Sequence, residues 1–571
     1  MAHIIEQSKC SGCHQCKSFC PVGAIRFKNR KYWIDPDKCI DCGTCVAHCH
    51  NGIISDPAAP PQSAPAHARQ VISCDLLVIG AGGSGLTAAV RAQTQSKGKL
   101  RIVVIDKAKE IGGSTWYAHG YRTLYSRFHK ESGVPDTRYE EVGRFLEATH
   151  WDLDPKLVYN VFMASDAHND WLIDECGCKD NFYMGEDPMP WGGKGVSFVN
   201  PDFNAFPRPD TTIGPGEMGS WMVLLMKQMC AKLGIEIVTR TQARSLTKGA
   251  DGRITGALAT DPGGEIEYKA KAVVLATGCF SHNEEYLRIA NPDIFLEGEP
   301  VHFFAPPCCT GDGIRMAEEA GADIDYDQMR ALTLGPSHHP YGMAGVLITR
   351  EPESVFVDIH GRRYASETNF MSHNHLTNKL PGLISYAVCD SHIAKLCVDR
   401  MVAQNRDGAD GVAALKNYLE EIAEETAIGE ATWQADTLEE LAGKMGVPAD
   451  AFTQEIGRYN QMCREGRDLD FFKQAEFMVP IEKPPFYGFY QKRFQENAMG
   501  GCKIDSETRV LGKDGKPIPG LYAVGDNTRG VQIKGDVGME LVERTISAFT
   551  WCVLSGFIAG TTLAGELPAS A

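Results

Sequence analysis

Short continuous apolar runs, closed by glycine or charged residues, recur along this chain. Residues 76–79 (LLVI) and 102–105 (IVVI) show no polar alternation, so they predict strands buried on both faces of a parallel sheet. The stretch between them predicts a helix, and 271–277 (KAVVLAT) and 520–525 (GLYAVG) repeat the buried-strand pattern. Residues 235–239 and 254–259 predict the strands of a hairpin-like insert, and 355–364 a hairpin. Helices are expected from 310–313 (TGDG) to about Gly321, and through 409–427 and 436–465. Strands alternating with helices predict an α/β fold. A last apolar run, 549–564, is short and broken by Ser, Gly and Thr, so it predicts a buried terminal helix and not a membrane span.

The turn after the first strand carries Gly80, Gly82 and Gly85, the spacing G-x-G-x-x-G. The first glycine permits the tight turn, the second a close approach of backbone to a pyrophosphate, and the third helix–strand packing. Unpaired N–H groups at the helix start favour the anion. Asp106 ends the second strand 21 residues after Gly85, where a carboxylate meets a ribose hydroxyl. Strand, turn, helix, strand and acid together predict a dinucleotide site that suits FAD or NAD equally.

Composition narrows the class. The 571 residues suggest two to four domains, and 43% hydrophobic with 23% charged content is ordinary for a globular protein. A net charge of −16 argues against nucleic acid or an anionic membrane surface as partner. Eight of the 20 cysteines fall in the first 49 residues. Cys10, Cys13, Cys16 and Cys20 follow C-x2-C-x2-C-x3-C, with Pro21 next, and Cys39, Cys42, Cys45 and Cys49 repeat the spacing. This is the two-cluster ferredoxin run, in which each fourth cysteine ligates the other cluster. One [4Fe–4S] cluster is thus expected on Cys10, Cys13, Cys16 and Cys49, the second on Cys39, Cys42, Cys45 and Cys20. Zinc also binds C-x2-C pairs, but a doubled four-cysteine run exceeds what a zinc ribbon needs. Metal-ligating and unpaired thiols point to a reducing, cytoplasmic setting. Residues 55–69 are rich in Pro and Ala and read as a linker, which extended reaches on the order of 45 Å.

The remainder, 71–571, resembles the fumarate reductase/succinate dehydrogenase flavoprotein superfamily, which includes soluble fumarate reductases, urocanate reductase and ketosteroid dehydrogenases. The matching motifs are GAGGSGLTAA (80–89), IGGST (111–115), LATGCFSHN (275–283), TGDGIRMAEEAGA (310–322), MGG (499–501) and PIPGLYAVGDNTRG (517–530). The resemblance implies FAD, and an α+β ferredoxin module (1–54) joined by a linker (55–70) to a Rossmann-like FAD-binding domain (71–331 and 497–571). An α+β capping domain at 332–496 interrupts it. It places Asp106 on the adenosine ribose, Gly113, Ser114 and Thr115 on the pyrophosphate side, Thr277 and Gly278 along the dinucleotide, and Asp526 on the ribityl or ribose region. Gly83, Lys107, Gly120, Asp312, Gly525, Glu540 and Leu541 complete the expected cofactor set. Covalent members use a histidine where Ser114 stands, which implies non-covalent FAD; His119, five residues on, is read as a pocket or structural residue.

The resemblance also bears on substrate. Fumarate reducers need arginines for two carboxylates and a proton donor. Here Glu367 is followed by Thr, Asn, Phe and Met, Asn497 replaces a histidine before MGG, and Asp536 stands where an arginine is expected. A dianion is therefore a poor ligand. The ketosteroid branch polarises a ketone with tyrosines. Tyr117, Tyr341 and Tyr364 are available for this, but that branch's C-terminal Tyr-Pro-Gly is lacking. His339, Tyr341, Tyr117 and Asp536 are the expected catalytic residues, with His338, His373, His375, Trp116 and Glu540 as further pocket candidates. Cys308–Cys309 reads as a buried structural pair. The expected activity is reduction of an activated C=C, in an enone such as a ketosteroid or another cyclic compound. Electrons would come from a low-potential donor: a ferredoxin, a flavodoxin or a reductase. The reverse dehydrogenase and an electron-transfer subunit are the alternatives, and an oligomer is compatible with all of them.

Overall fold

The computed structural model describes the chain except residues 1, 8–9, 11–15, 17–19, 21, 23, 29–30, 43, 48, 50–52, 56–68, 119–123, 179–181, 187–196, 202–217, 293–301, 304, 307, 338–350, 369–375, 378, 382–383, 405–421, 424, 428, 430, 532–545 and 568–571.

Five parallel strands form the heart of the larger sheet. Their order is Glu236–Val238, Ile102–Ile105, Gln70–Ile79, Gly264–Leu275 and Pro517–Ala523. Leu76, Leu77, Val103, Val104, Val274 and Leu275 are at most 1% exposed, which explains their unbroken apolar pattern. Each such side chain contributes roughly 1.5–3 kcal/mol by leaving water. Register aligns Val238, Ile105, Ile79, Leu275 and Ala523 across the sheet. The residues that follow them therefore emerge along one carboxyl edge. Strand order reverses on either side of Gln70–Ile79, and ligands of such sheets sit at that reversal.

Helix Gly83–Gln95 leaves the first glycine turn and packs against the terminal helix Ala548–Glu566. A Cβ on Gly556 would lie 2.3 Å from Ser84 O and one on Gly560 2.6 Å from Ala88 O, so the two backbones touch. The terminal helix is apolar enough to cross a bilayer, yet it is mostly buried in the protein, as its broken pattern implies.

The hairpin-like insert expected at 235–239 and 254–259 is corrected. Glu236–Val238 joins the parallel sheet beside Ile102–Ile105, and the antiparallel partner of Ile254–Asp261 is Gln242–Lys248. That strand (QARSLTK) is largely polar, so no apolar run marks it.

A second, six-stranded sheet holds His302–Phe303, Ile324–Ser337, Val355–Val357, Ile384–Asp390, Thr432–Ala435 and Phe486–Cys502. The antiparallel pair Ile324–Ser337 and Phe486–Cys502 is its long spine. At Cys502 the spine meets Thr528, just past the parallel strand Pro517–Ala523. Val355–Val357 turns at Asp358–Gly361 and returns through a bridge at Arg363. The helix expected at 436–465 is two, Leu438–Met445 and Ala449–Glu465, broken where Gly446 takes φ 74°. Most of the helix expected at 409–427 lies outside the described residues.

The N-terminal module has the strand pairs Ile4–Ile5 with Ile54–Ser55 and Ile25–Lys28 with Lys31–Ile34, and a short helix, Thr44–Ala47.

Candidate functional site

A cleft of about 710 Å³ opens at the carboxyl edge of the parallel sheet. Its floor is the first glycine turn. Gly80 takes φ 114°, and a Cβ there would lie 2.1 Å from Ala276 O. A Cβ on Gly85 would lie 2.0 Å from Gly80 O, so these two glycines serve packing. Gly82 differs: it has φ −81° and no atom nearer than Gly112 O at 3.7 Å from a built Cβ. Its missing side chain leaves room on the cleft side. Gly82 is also the cap of helix Gly83–Gln95, with no side-chain cap and no acid in the first turn, so the positive helix end faces the cleft uncompensated. Thr115 Oγ1 accepts from Gly83 N at 3.1 Å, tying IGGST to that turn. These features fit a pyrophosphate.

Asp106 lies on the cleft edge, fixed by Ala81 N (2.7 Å) and Ala108 N (2.8 Å). Burial raises its carboxyl against those two donors. Lys107 Nζ reaches Asp312 Oδ2 at 2.9 Å and Thr310 Oγ1 at 2.5 Å, and Gln242 Nε2 also donates to Asp312 at 3.2 Å. Burial pushes the Asp312 carboxyl up, but the Lys107 charge and these donors outweigh it and the net direction is down. Thr277 Oγ1 accepts from Gly313 N at 3.0 Å, which seats the TGDG helix on the sheet edge. At the other end Asp526 is buried, with Cys552 Sγ donating to Oδ1 at 3.3 Å, and Gly525 N donates to Ser555 Oγ at 3.0 Å.

The structure thus brings Gly80, Gly82, Gly83, Asp106, Lys107, Gly113, Ser114, Thr115, Thr277, Gly278, Asp312 and Asp526 onto one cleft, with Gly85 and Gly525 packed behind it. Gly120, Glu540 and Leu541 lie outside the described residues, as do His119, His338, His339, Tyr341, His373, His375 and Asp536. Tyr117 ends the turn Gly113–Tyr117, and its side chain is outside the described set. Trp116 packs half-buried against the core under the helix layer, and Tyr364 bonds Thr377 Oγ1 at 3.0 Å within the second sheet region. Thr241 and Gln242 also line the cleft and belong to the polar stretch without a sequence signal. Ser84, Met316 and Cys552 line it from helices, where nothing in their spacing marks them.

In the N-terminal module, Cys20, Cys39, Cys42 and Cys45 line one cavity of about 310 Å³, the set expected for the second cluster, together with Val22, Ile40 and His3. Ala24 N donates to Cys20 Sγ at 3.2 Å. Burial, then the neighbouring Cys39, Cys20 and Cys42, push the Cys45 thiol up to about 11. Thiols gathered so closely lose their protons together only around a cationic centre, so the set fits an iron–sulfur cluster. Cys10, Cys16 and Cys49 pack on the same small core, and Cys13 lies outside the described residues. No described cysteine is in a disulfide.

Fold and site together define a dinucleotide-binding flavoprotein carrying a ferredoxin-type module. The chain belongs to the FAD binding domain family, whose model matches residues 75–535, and residues 2–50 match a 4Fe-4S dicluster domain. It is 26% identical over 488 residues to the vinyl phenol reductase of Lactiplantibacillus plantarum, covering 80% of this chain and 90% of that protein. It is 31% identical over 554 residues to the NADH:acrylate oxidoreductase of Vibrio harveyi, covering 84% of this chain but only 50% of that one. The open conformation of a flavocytochrome c3 fumarate reductase matches with a TM-score of 0.65 at 23% identity, over 86% of this chain and 78% of that one. The chain is an FAD-dependent oxidoreductase.

Proposed function

We propose that this chain is an iron–sulfur flavoenzyme that reduces an activated C=C bond, in an enone such as a ketosteroid or another cyclic compound. Its electrons enter the N-terminal module from a low-potential donor and pass through two [4Fe–4S] clusters. Bound FAD, held without a covalent link because Ser114 has no imidazole to offer, supplies hydride chemistry. The protein's part is to hold the pyrophosphate at the Gly82 helix start and to fix Asp106 and Asp526 along the cofactor. The segment 332–496 is the cap that closes over the substrate. His339, Tyr341, Tyr117 and Asp536 are the groups assigned to polarise the carbonyl and deliver the proton. A cytoplasmic setting belongs to the same reading.

The observation that carries this reading is a cysteine-lined cavity and a flavin cleft in one chain. The similarity to reductases named for vinyl phenol and acrylate supports C=C reduction as its use. Fumarate is disfavoured. Arg363 is 5% exposed and locked to Glu367 and Asp468, at 2.9 Å each, while Arg400 is held by Glu351 and Glu353. Neither guanidinium is available to clamp a substrate carboxylate. The chemistry is reversible in principle, so a dehydrogenase exporting electrons is the second reading, favoured if the clusters lie above the flavin in potential.

Anaerobic mixing of the dithionite-reduced protein with cyclic enones, styrenes, acrylates, urocanate and fumarate tests the proposal. Rapid flavin reoxidation by an enone and not by fumarate is expected. Fast reoxidation by fumarate refutes the argument from the arginines, and no reoxidation by any acceptor refutes the reductase.

A further inference from the structure

Two neighbouring strands of the second sheet bring three metal-binding side chains together. Strand Val355–Val357 runs antiparallel to Ile384–Asp390, with Val355 opposite Val388. The turn at 351–354, closed by Ser354 N donating to Glu351 O at 3.2 Å, therefore lies beside helix Ser391–Gln404. Asp390 fixes the start of that helix: Oδ1 accepts from Ile393 N at 2.9 Å, and Oδ2 from Glu482 N and Lys483 N at 2.8 Å each. The turn carries Glu351 and Glu353. The helix carries Cys397 and Arg400, three positions apart and so on one face. A carboxylate oxygen of Glu351, one of Glu353 and Cys397 Sγ all lie within 4.8 Å of one another. Both glutamates are 2% exposed and Cys397 is fully buried.

Arg400 does not complete this cluster. Its Nη1 donates to Glu351 Oε2 at 3.2 Å and its Nη2 to Glu353 Oε1. Glu353 Oε2 is buried and has no hydrogen-bond partner among the described residues. A buried carboxylate oxygen left without a donor or a cation is costly. One guanidinium also faces two carboxylates, so one negative charge is left over. The group around Arg363 shows the contrast. There two cations, Arg363 and Lys473, meet two carboxylates, Glu367 and Asp468, and all four carboxylate oxygens accept hydrogen bonds. That group is closed on itself, whereas the cluster at Glu353 is open.

We propose that Glu351, Glu353 and Cys397 bind one zinc ion, at a site separate from the flavin cleft and the cysteine module. Two carboxylates and a thiolate carry three negative charges, and Arg400 with Zn²⁺ carries three positive ones, so the buried set closes to neutrality. Binding releases the thiol proton to solvent and changes no oxidation state. Tetrahedral zinc with sulfur at about 2.3 Å and oxygen at about 2.0–2.2 Å holds its donors about 3.4–3.6 Å apart, a closure of about 1 Å that side-chain rotation supplies. A thiolate disfavours magnesium and calcium, which take oxygen ligands, and the mixed sulfur–oxygen set suits a borderline ion. Three protein ligands leave the fourth position to a water. The ion staples the turn at 351–354 to helix Ser391–Gln404, across the strands that lie between them.

The test uses the FAD- and cluster-loaded protein, incubated with zinc chloride and freed of unbound metal by gel filtration. Elemental analysis should find one zinc per chain. Cys397→Ser and Glu353→Gln should each lose it while iron and FAD contents stay at the wild-type level. Absence of zinc from the wild type, or equal zinc in wild type and Cys397→Ser, overturns the proposal. Since either variant could fail to fold, zinc-edge X-ray absorption of the wild type gives a second reading. One sulfur at about 2.3 Å with two or three oxygens at about 2.0–2.2 Å is expected. A shell of four sulfurs, which puts the zinc on the cluster cysteines, or a shell without sulfur, overturns it as well.

Discussion

Replacing Gly82 with alanine separates cofactor binding from folding. The residue sits at φ −81° and ψ −176°, ordinary for any L-amino acid, and its built Cβ meets nothing nearer than 3.7 Å. The apoprotein should therefore fold as before, or gain up to about 1 kcal/mol from a less flexible unfolded chain. The methyl would instead occupy the cleft at the uncapped helix start, where the pyrophosphate approaches. Pushing the phosphate away weakens one or two charge-assisted hydrogen bonds, each worth about 1.5–3 kcal/mol. A loss near 3 kcal/mol is roughly 100-fold in Kd. Titrating apoprotein with FAD and following the quenching of flavin fluorescence measures it, beside a thermal melt of the apo form. Gly80→Ala is the contrasting variant: with φ 114° and Ala276 O 2.1 Å from the new Cβ, it should lose the folded domain itself. Wild-type FAD affinity in Gly82→Ala would refute the placement of the phosphate.

Arg363 and Lys473 face Glu367 and Asp468 in a group whose side chains are fully buried, so Arg363→Met leaves uncompensated carboxylates and should cost about 3–5 kcal/mol in chemical denaturation. In the same group burial pushes the Asp468 carboxyl up, but the hydrogen bond and charge of Arg363 outweigh it and bring it to about 2. Its folded value lies below its unfolded one, so its stabilisation is present above about pH 4 and is lost as pH falls towards 2. Asp468→Asn should flatten that acid limb of the stability profile. Cys45→Ala should lower iron content by about half, from roughly eight to four per chain, with FAD content unchanged; iron analysis beside flavin absorbance checks it.

The parallel core was legible because its strands are buried on both faces, which leaves uninterrupted runs such as IVVI and KAVVLAT. The cleft's glycines and Asp106 were legible because their local spacing is the geometry itself, and so was the set Cys20, Cys39, Cys42 and Cys45. Gln242–Lys248 was not, since it is an antiparallel strand with a polar face and only one strongly buried side chain, Ala243. The lacing of the segment after Thr277 to the one before the TGDG helix depends on backbone hydrogen bonds between segments thirty residues apart, His282 N to Cys309 O and Gly311 N to Cys279 O, which no local spacing encodes. The buried group around Arg363 was hidden for a like reason: Asp468 joins it from 105 residues away.

On the proposed function, electrons pass from the cysteine module to the flavin and from there to a C=C bond. Stopped-flow absorbance of the fully reduced protein, mixed anaerobically with a cyclic enone and followed at both flavin and cluster bands, tests it most directly. The flavin should be oxidised first, the clusters should then bleed into it, and saturated product should form at one molecule per electron pair. Oxidation of the clusters while the flavin stays reduced, or loss of both signals without saturated product, would contradict it.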